Sequence, residues 1–286
     1  MAQKNIAIVT GASSGIGRLL AKELPAHCRV DELWLVARTE AKLFALGEEL
    51  PVPVRAFVLD LTVESSITTL QERLADEQPV VRLLINASGY GKFERFDRIP
   101  EEDAAGMVDL NCRALTLMMY AVLPYCTQES MIVNIASVAA FQPVPFGAEY
   151  AASKAYVLAL SRAVNRELRP RNIRVLAVCP YWTKTAFFER ANKTSVITHF
   201  DCMYDPAFIV KKTFAAMKMG RARLLLAGGC TPGETAARLG FADSAYFSRC
   251  FKRAYGVTPR DFARHARKAA AAKAATNRYT TPPNGH

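Results

Sequence analysis

Tyr150 and Lys154, in the run Tyr150-Ala-Ala-Ser-Lys154, are the residues of this chain best suited to proton chemistry. They lie in a helical pattern, where an i, i+4 spacing puts both side chains on one face. A free tyrosine, with a pKa near ~10, is a poor acid or base at neutral pH, but a neighbouring ammonium favours the phenolate. Ser137 closes an apolar segment shortly before the pair. A lone YxxxK is commonly coincidence and a strand-end serine commonly a cap, so their weight depends on what accompanies them.

A second group suits phosphate chemistry. An apolar segment ends in Thr10-Gly11-Ala12-Ser13-Ser14-Gly15-Ile16-Gly17, and a helical pattern follows. In such a turn Gly11, Ser13, Ser14, Gly15, Ile16 and Gly17 let the backbone approach a pyrophosphate, whose charge the free amides and the helix dipole stabilise. The next apolar segment ends in Val36-Ala37-Arg38-Thr39. An acid at that point would read the ribose hydroxyls of NAD, whereas Arg38 can pair with the 2′-phosphate of NADP(H).

The elements that position these residues follow from the apolar pattern. Asn5–Thr10, Asp31–Ala37, Val54–Leu59, Val81–Asn86, Met131–Ser137 and Ile173–Cys179 read as buried strands, with amphipathic stretches between them. This alternation implies an α/β fold, a doubly wound parallel sheet of the Rossmann type. Asp205-Pro206 starts a further helix that is expected to end at Gly220. Residues 222–229, ARLLLAGG, fit a seventh strand or a short helix equally well. The expected organisation is a nucleotide-binding domain over 1–220, a small helical module over 221–266 and a disordered tail over 267–286.

The landmarks occur in an order that resembles the short-chain dehydrogenase/reductase family over roughly residues 1–220. The turn spacing is TGxxxGxG, Asp60-Leu61 ends the third strand, and Asn86-Ala87-Ser88-Gly89 ends the fourth, where Asn86 and Gly89 match the family and Ala87 and Ser88 depart. The resemblance implies an NADP(H)-dependent oxidoreductase interconverting a carbonyl and an alcohol. It makes Tyr150 the acid/base, has Lys154 bind the nicotinamide ribose and lower the tyrosine pKa, has Ser137 hold the substrate oxygen, and has Asn111 support a proton-relay water. It further implies cofactor contacts from Asp60, Leu61, Asn86, Gly89, Tyr150 and Lys154, and from Pro180 and Thr185, with Tyr181 replacing the usual glycine. Residues Trp182 to Tyr204 are expected to form a mobile substrate loop. Phe141, Phe146, Tyr181, Trp182, Phe187 and Phe188 flank the expected site and permit an apolar substrate.

The remaining residues differ in character. Of the net charge of +11, nine units lie in residues 220–286, which hold 12 Lys or Arg against three acids. Residues 233–264 resemble the second helix-turn-helix of AraC-type transcription regulators, on Ala236, Leu239-Gly240-Phe241, Asp243, Tyr246-Phe247, Phe251-Lys252-Arg253, Gly256 and Thr258-Pro259. ARLLLAGG resembles the end of that family's linker helix. Asp243 is expected to cap a helix with Phe247, Cys250 and Phe251 inward and Ser244, Ser248, Arg249 and Lys252 outward, a face that could enter a duplex DNA groove. The first helix-turn-helix of such regulators is missing. A cofactor-sensing DNA-binding regulator and an inactive fusion product are therefore the alternatives to the oxidoreductase.

Composition bounds the rest. The seven cysteines are scattered without a CxxC pair, and no His/Cys/carboxylate cluster has metal-site spacing, so no metal is expected. No run of about 18 apolar residues suggests a membrane span, and the N-terminal segment enters a strand without an apolar signal region. A cytoplasmic location is the expectation, and a homo-oligomer is left open.

Overall fold

The computed structural model describes residues 3–191, 196–197 and 202–278, the last nine as helical backbone alone. The chain divides into two compact units, residues 1–214 and 215–286.

In the first unit the strands are β1 (Asn5–Thr10), β2 (Glu32–Ala37), β3 (Val54–Val58), β4 (Val80–Asn86), β5 (Met131–Ile135) and β6 (Arg174–Val178). They form one parallel sheet in the order β3-β2-β1-β4-β5-β6. The apolar runs are strands because both sheet faces are covered: Ile6, Ile8, Leu33, Trp34, Leu84 and Ile132 are all fully buried. The chain order reverses between β1 and β4, which opens a crevice at the carboxyl ends of the strands.

Helices cross between the strands: α1 (Gly15–His27), α2 (Glu40–Glu48), α3 (Glu64–Glu77), α4 (Glu101–Val108), α5 (Leu115–Val122) and α6 (Ala148–Glu167). A π-helical stretch, Asp109–Ala114, joins α4 to α5 and contains Asn111. Among the described part of the expected substrate loop, Ala186–Ala191 forms a short helix, α7, and a bridge pairs Thr183 with Tyr204. Residues 192–195 and 198–201 of that loop lie outside the described ones.

One helix belongs to both units. Helix α8 runs over Pro206–Ala227, past the end expected at Gly220, so the leucine-rich run 222–227 is helix and the sheet has six strands among the described residues. The physical reason lies in the second unit, where Ala222 and Leu226 are needed on one helical face for its core.

The second unit adds α9 (Pro232–Arg238), α10 (Ser244–Tyr255) and α11 (Pro259–Arg278). Thr231 and Glu234 form a reciprocal capping box at the start of α9, and Asp243 caps α10 by accepting from the amides of Ala245 (2.8 Å) and Tyr246 (2.9 Å). Gly256, at φ +75°, ends α10 in the left-handed conformation glycine tolerates. Phe247 and Phe251 are fully buried against Ala222, Leu226, Ala236 and Ala263, while Cys250, expected inward, is only half-buried. The tail also departs from expectation. Residues 267–278 continue α11 as helix, in keeping with their alanine content, and 279–286 lie outside the described residues. No described helix is long and apolar enough to cross a membrane.

Phe247 anchors this small core. Phe247→Ala is expected to cost about 3–5 kcal/mol, most of what a unit this size can offer. Loss of helical circular dichroism, with faster tryptic cleavage at Arg249 and Arg253, checks it.

Candidate active site

The crevice between β1 and β4 holds a cleft of about 350 Å³. Its floor is the turn after β1. Gly11 has φ +68°, and a Cβ there would sit 2.7 Å from the Ala87 carbonyl, while a Cβ on Gly17 would collide with the Gly11 carbonyl oxygen. These two glycines are set by backbone packed on backbone. Gly15, at φ +56°, would meet only Thr185 at 3.8 Å, and its glycine character follows from conformation. The Thr10 hydroxyl accepts from the amides of Ala87 and Ser88, both at 3.1 Å, which ties the β1 and β4 turns together. No side chain caps the start of α1, so its first amides remain available to an anion.

At the β2 side Arg38 is exposed, its Nη1 3.5 Å from Asp60 Oδ2. Asp60 Oδ1 accepts from the Thr62 amide (3.0 Å) and hydroxyl (2.7 Å). Burial works to raise the Asp60 carboxyl, but Thr62 and the Arg38 charge outweigh it and hold the group below its ordinary value. The ion pair is long and open to water, so it leaves the guanidinium free to turn to another anion at little cost.

At the other end, Tyr150 and Lys154 project from α6 toward the end of β5. Lys154 is buried, its Nζ donates to the Ile135 carbonyl at 3.0 Å, and it lies 5.7 Å from the Tyr150 ring centre. Burial pushes the ammonium down to about 8, although the Cys112 and Cys179 thiols work upward. Burial also pushes the Tyr150 phenol up to about 12, with a hydrogen bond from Ser137 opposing it. The ammonium was expected to lower this phenol; in the protein alone desolvation is the stronger influence. Ser137 leaves β5 at the start of a 3-10 turn whose Ala139 amide it accepts at 3.2 Å.

Asn111 is buried beneath this group. Its Oδ1 accepts from the Tyr90 amide (3.1 Å), and its Nδ2 donates to the Tyr90 carbonyl (2.9 Å) and to Ser153 Oγ (3.0 Å). Ser153 Oγ in turn donates to the Tyr150 carbonyl at 2.7 Å. A second buried chain runs from Asn86 through Asn134 to Ser161.

The cleft is lined by Gly11, Ser13, Ser14, Gly15, Ile16, Gly17, Arg38, Asp60, Leu61, Gly89, Ser137, Tyr150, Lys154, Pro180 and Thr185. Of the expected residues only Asn86 and Asn111 lie behind its wall, buried in the two amide chains. Tyr181, Trp182, Phe187 and Phe188 also line it, whereas Phe141 and Phe146 are exposed elsewhere. Phe93 lines the cleft and was not foreseen; it sits in irregular backbone with no periodic signal. Ser153 was visible inside the motif, but nothing local marks its partner on another helix.

In the second unit Ser244, Arg249 and Lys252 are exposed on α10 and Ser248 is half-buried. Arg249 stands 3.7 Å from the capping Asp243 and 66% exposed, so its charge remains presented to solvent.

Comparison with known proteins agrees with this geometry. Residues 5–195 match the family model for short chain dehydrogenase, and residues 210–265 match that for a helix-turn-helix domain. An uncharacterized oxidoreductase of Staphylococcus epidermidis is 30% identical over 189 residues, 65% of this chain and 81% of that protein. The 3-oxoacyl-[acyl-carrier-protein] reductase of Thermotoga maritima is 30% identical over 191 residues, 65% of this chain and 76% of that protein. Among solved structures, a short-chain dehydrogenase from Sphingobium yanoikuyae in complex with NADPH aligns with TM-score 0.67 at 32% identity, covering 76% of this chain and 85% of that one. Sheet order, crevice and family match together make this chain a member of the short chain dehydrogenase family, carrying a helix-turn-helix domain on its C-terminal side.

Proposed function

We propose that the first unit is an NADP(H)-dependent oxidoreductase that interconverts a carbonyl and an alcohol with Tyr150 as acid and base. The observation that carries it is that one cleft has Arg38 at one end and Ser137, Tyr150 and Lys154 at the other. The reductase names of relatives and the NADPH-bound neighbour support the same reading.

The residues present fit a dinucleotide, since Gly11 and Gly17 bring the backbone to the cleft without Cβ atoms and the α1 amides lack a side-chain cap. On this reading residues 11 to 17 hold the pyrophosphate, Arg38 the 2′-phosphate, and Asp60 and Leu61 the adenine. Gly89, Lys154, Pro180 and Thr185 hold the nicotinamide end, and Asn86 braces it from behind. When bound, the nicotinamide supplies the hydride chemistry.

The chain's own residues supply the proton. Tyr150 Oη gives it to the carbonyl oxygen while Ser137 Oγ donates a hydrogen bond to that oxygen. A phenol pushed up by burial keeps its proton at neutral pH, the form that reduction requires. Asn111 has its amide engaged by Tyr90 and Ser153, so its side chain contributes by fixing the Tyr150 turn of α6.

The second unit supports a reading of its own, duplex DNA binding through α10, because Arg249 and Lys252 stand exposed on the helix that Asp243 caps. Sensing of the cofactor by such a regulator would be a function added to the chemistry.

Three measurements test these assignments. Tyr150→Phe is expected to lower carbonyl reduction by at least about 100-fold while NADPH still binds, measured by turnover and by direct titration. Arg38→Ala is expected to weaken NADPH by about tenfold or more and leave NADH nearly unchanged, since a charge-assisted contact to the 2′-phosphate exists for one cofactor alone. Full-length chain is expected to bind duplex DNA weakly, with steep loss as salt rises. Replacing Arg249 and Lys252 together by Ala should lower that affinity and flatten the salt slope by about two, and a salt series on both proteins checks it.

A further inference from the structure

The walls around Tyr150 narrow the substrate, given the reductase reading above. Phe93, 2% exposed, is the hub: its ring meets Tyr150 (5.7 Å, 87°) and Trp182 (5.8 Å, 76°) edge to face, and lies 6.4 Å from Phe187 and 6.1 Å from Phe188. Phe187 also lies 5.5 Å from the Tyr150 ring. This approach depends on Gly91, where a Cβ would come within 2.9 Å of Tyr150 Cδ2 and 3.0 Å of Phe187 Cζ. A carbonyl held at Tyr150 therefore has aromatic rings around its substituents.

Charge adds a second restriction. Among the described residues the one carboxylate lining the cleft is Asp60, at the far end beside Arg38. Beyond that pair, the charged side chains lining the cleft are Lys154, beside Tyr150, and Arg190, on the helix that carries Phe187, and both are basic. A cationic substituent would lose water there and gain no counter-ion.

We propose that the substrate is a ketone bearing an aromatic or alicyclic ring next to the carbonyl, with no positive charge on that ring. Flat rings complete the edge-to-face contacts the wall already makes, and saturated rings bury the same apolar area. A short alkyl group fills little of that space.

The test uses the full chain with NADPH and four ketones: 2-butanone, cyclohexyl methyl ketone, acetophenone and acetophenone carrying a trimethylammonium group on its ring. The two neutral ring ketones are expected to exceed 2-butanone in kcat/KM by on the order of 100-fold, and the ammonium compound to fall at least about tenfold below acetophenone. Phe187→Ala should reduce kcat/KM for acetophenone about tenfold more than for 2-butanone. Calorimetric binding of the same ketones to NADPH-saturated Tyr150→Phe ranks them without turnover. Ring ketones that bind in that ranking but are not reduced by the wild type would leave the substrate class standing and remove the reductase reading. Reduction of 2-butanone or the ammonium compound as efficiently as acetophenone would overturn the class and keep the reductase. Absence of both binding and reduction of the ring ketones would overturn it as well.

Discussion

The seam between β1 and β4 is the constraint on which the cleft depends. There Thr10 accepts two amides from the turn after β4, and Gly11 lies so close to Ala87 and Ser88 that no side chain fits between them. Parallel neighbours that lead to opposite halves of the sheet diverge beyond their last hydrogen bond, and here their turns are held together across that divergence. The close approach fixes the height of residues 11 to 17 relative to Gly89, and so the floor between the Arg38 and Tyr150 ends. A larger residue at Gly11 would have to separate the turns before it could disturb any ligand.

Helix α6 is held to this frame by polar groups as well as by packing. Asn134 reaches Ser161 from the sheet, and Asn111 reaches Ser153 from the π-helical stretch, so amide–hydroxyl contacts fix the helix at two levels. Buried hydrogen bonds of this kind add little net stability, yet leaving one partner unpaired is costly, which makes them effective in selecting one position over its neighbours. π-helical turns recur at functional sites for a related reason: the extra residue redirects a side chain. Here it lies in the stretch that sends Asn111 inward, toward the turn of α6 that carries Tyr150.

The features legible in the sequence were those written locally. Strands buried on both faces appear as uninterrupted apolar runs, and the glycine turn and the Tyr150–Lys154 pair each fit inside a few consecutive residues. What stayed hidden depends on distance along the chain. Phe93 has no periodic neighbours, and the bond between Asn111 and Ser153 spans 42 positions. The run 222–227 is equally apolar as strand or helix, and only the aromatic core of the second unit decides it. Residues 267–278 read as disorder from their sequence, although alanine is the best helix former and α11 continues through them. In helix α10, Asp243, Phe247 and Phe251 were readable because capping and helical period are local.

Helix α8 has a consequence for how the molecule can be taken apart. Composition invites a cut at Gly220, but Ala222 and Leu226 beyond it and Met219 before it all pack into one core with Phe247 and Phe251. A C-terminal fragment beginning at residue 221 would keep two of those contacts on a helix shorn of its leading turns, and short helices without tertiary support are marginal in water. The first unit in turn uses the opening residues of the same helix, where Phe214 stacks on His27 at 4.1 Å. The two modules thus have no clean seam in the chain, and any transplant of the helix-turn-helix part must carry the shared helix with it.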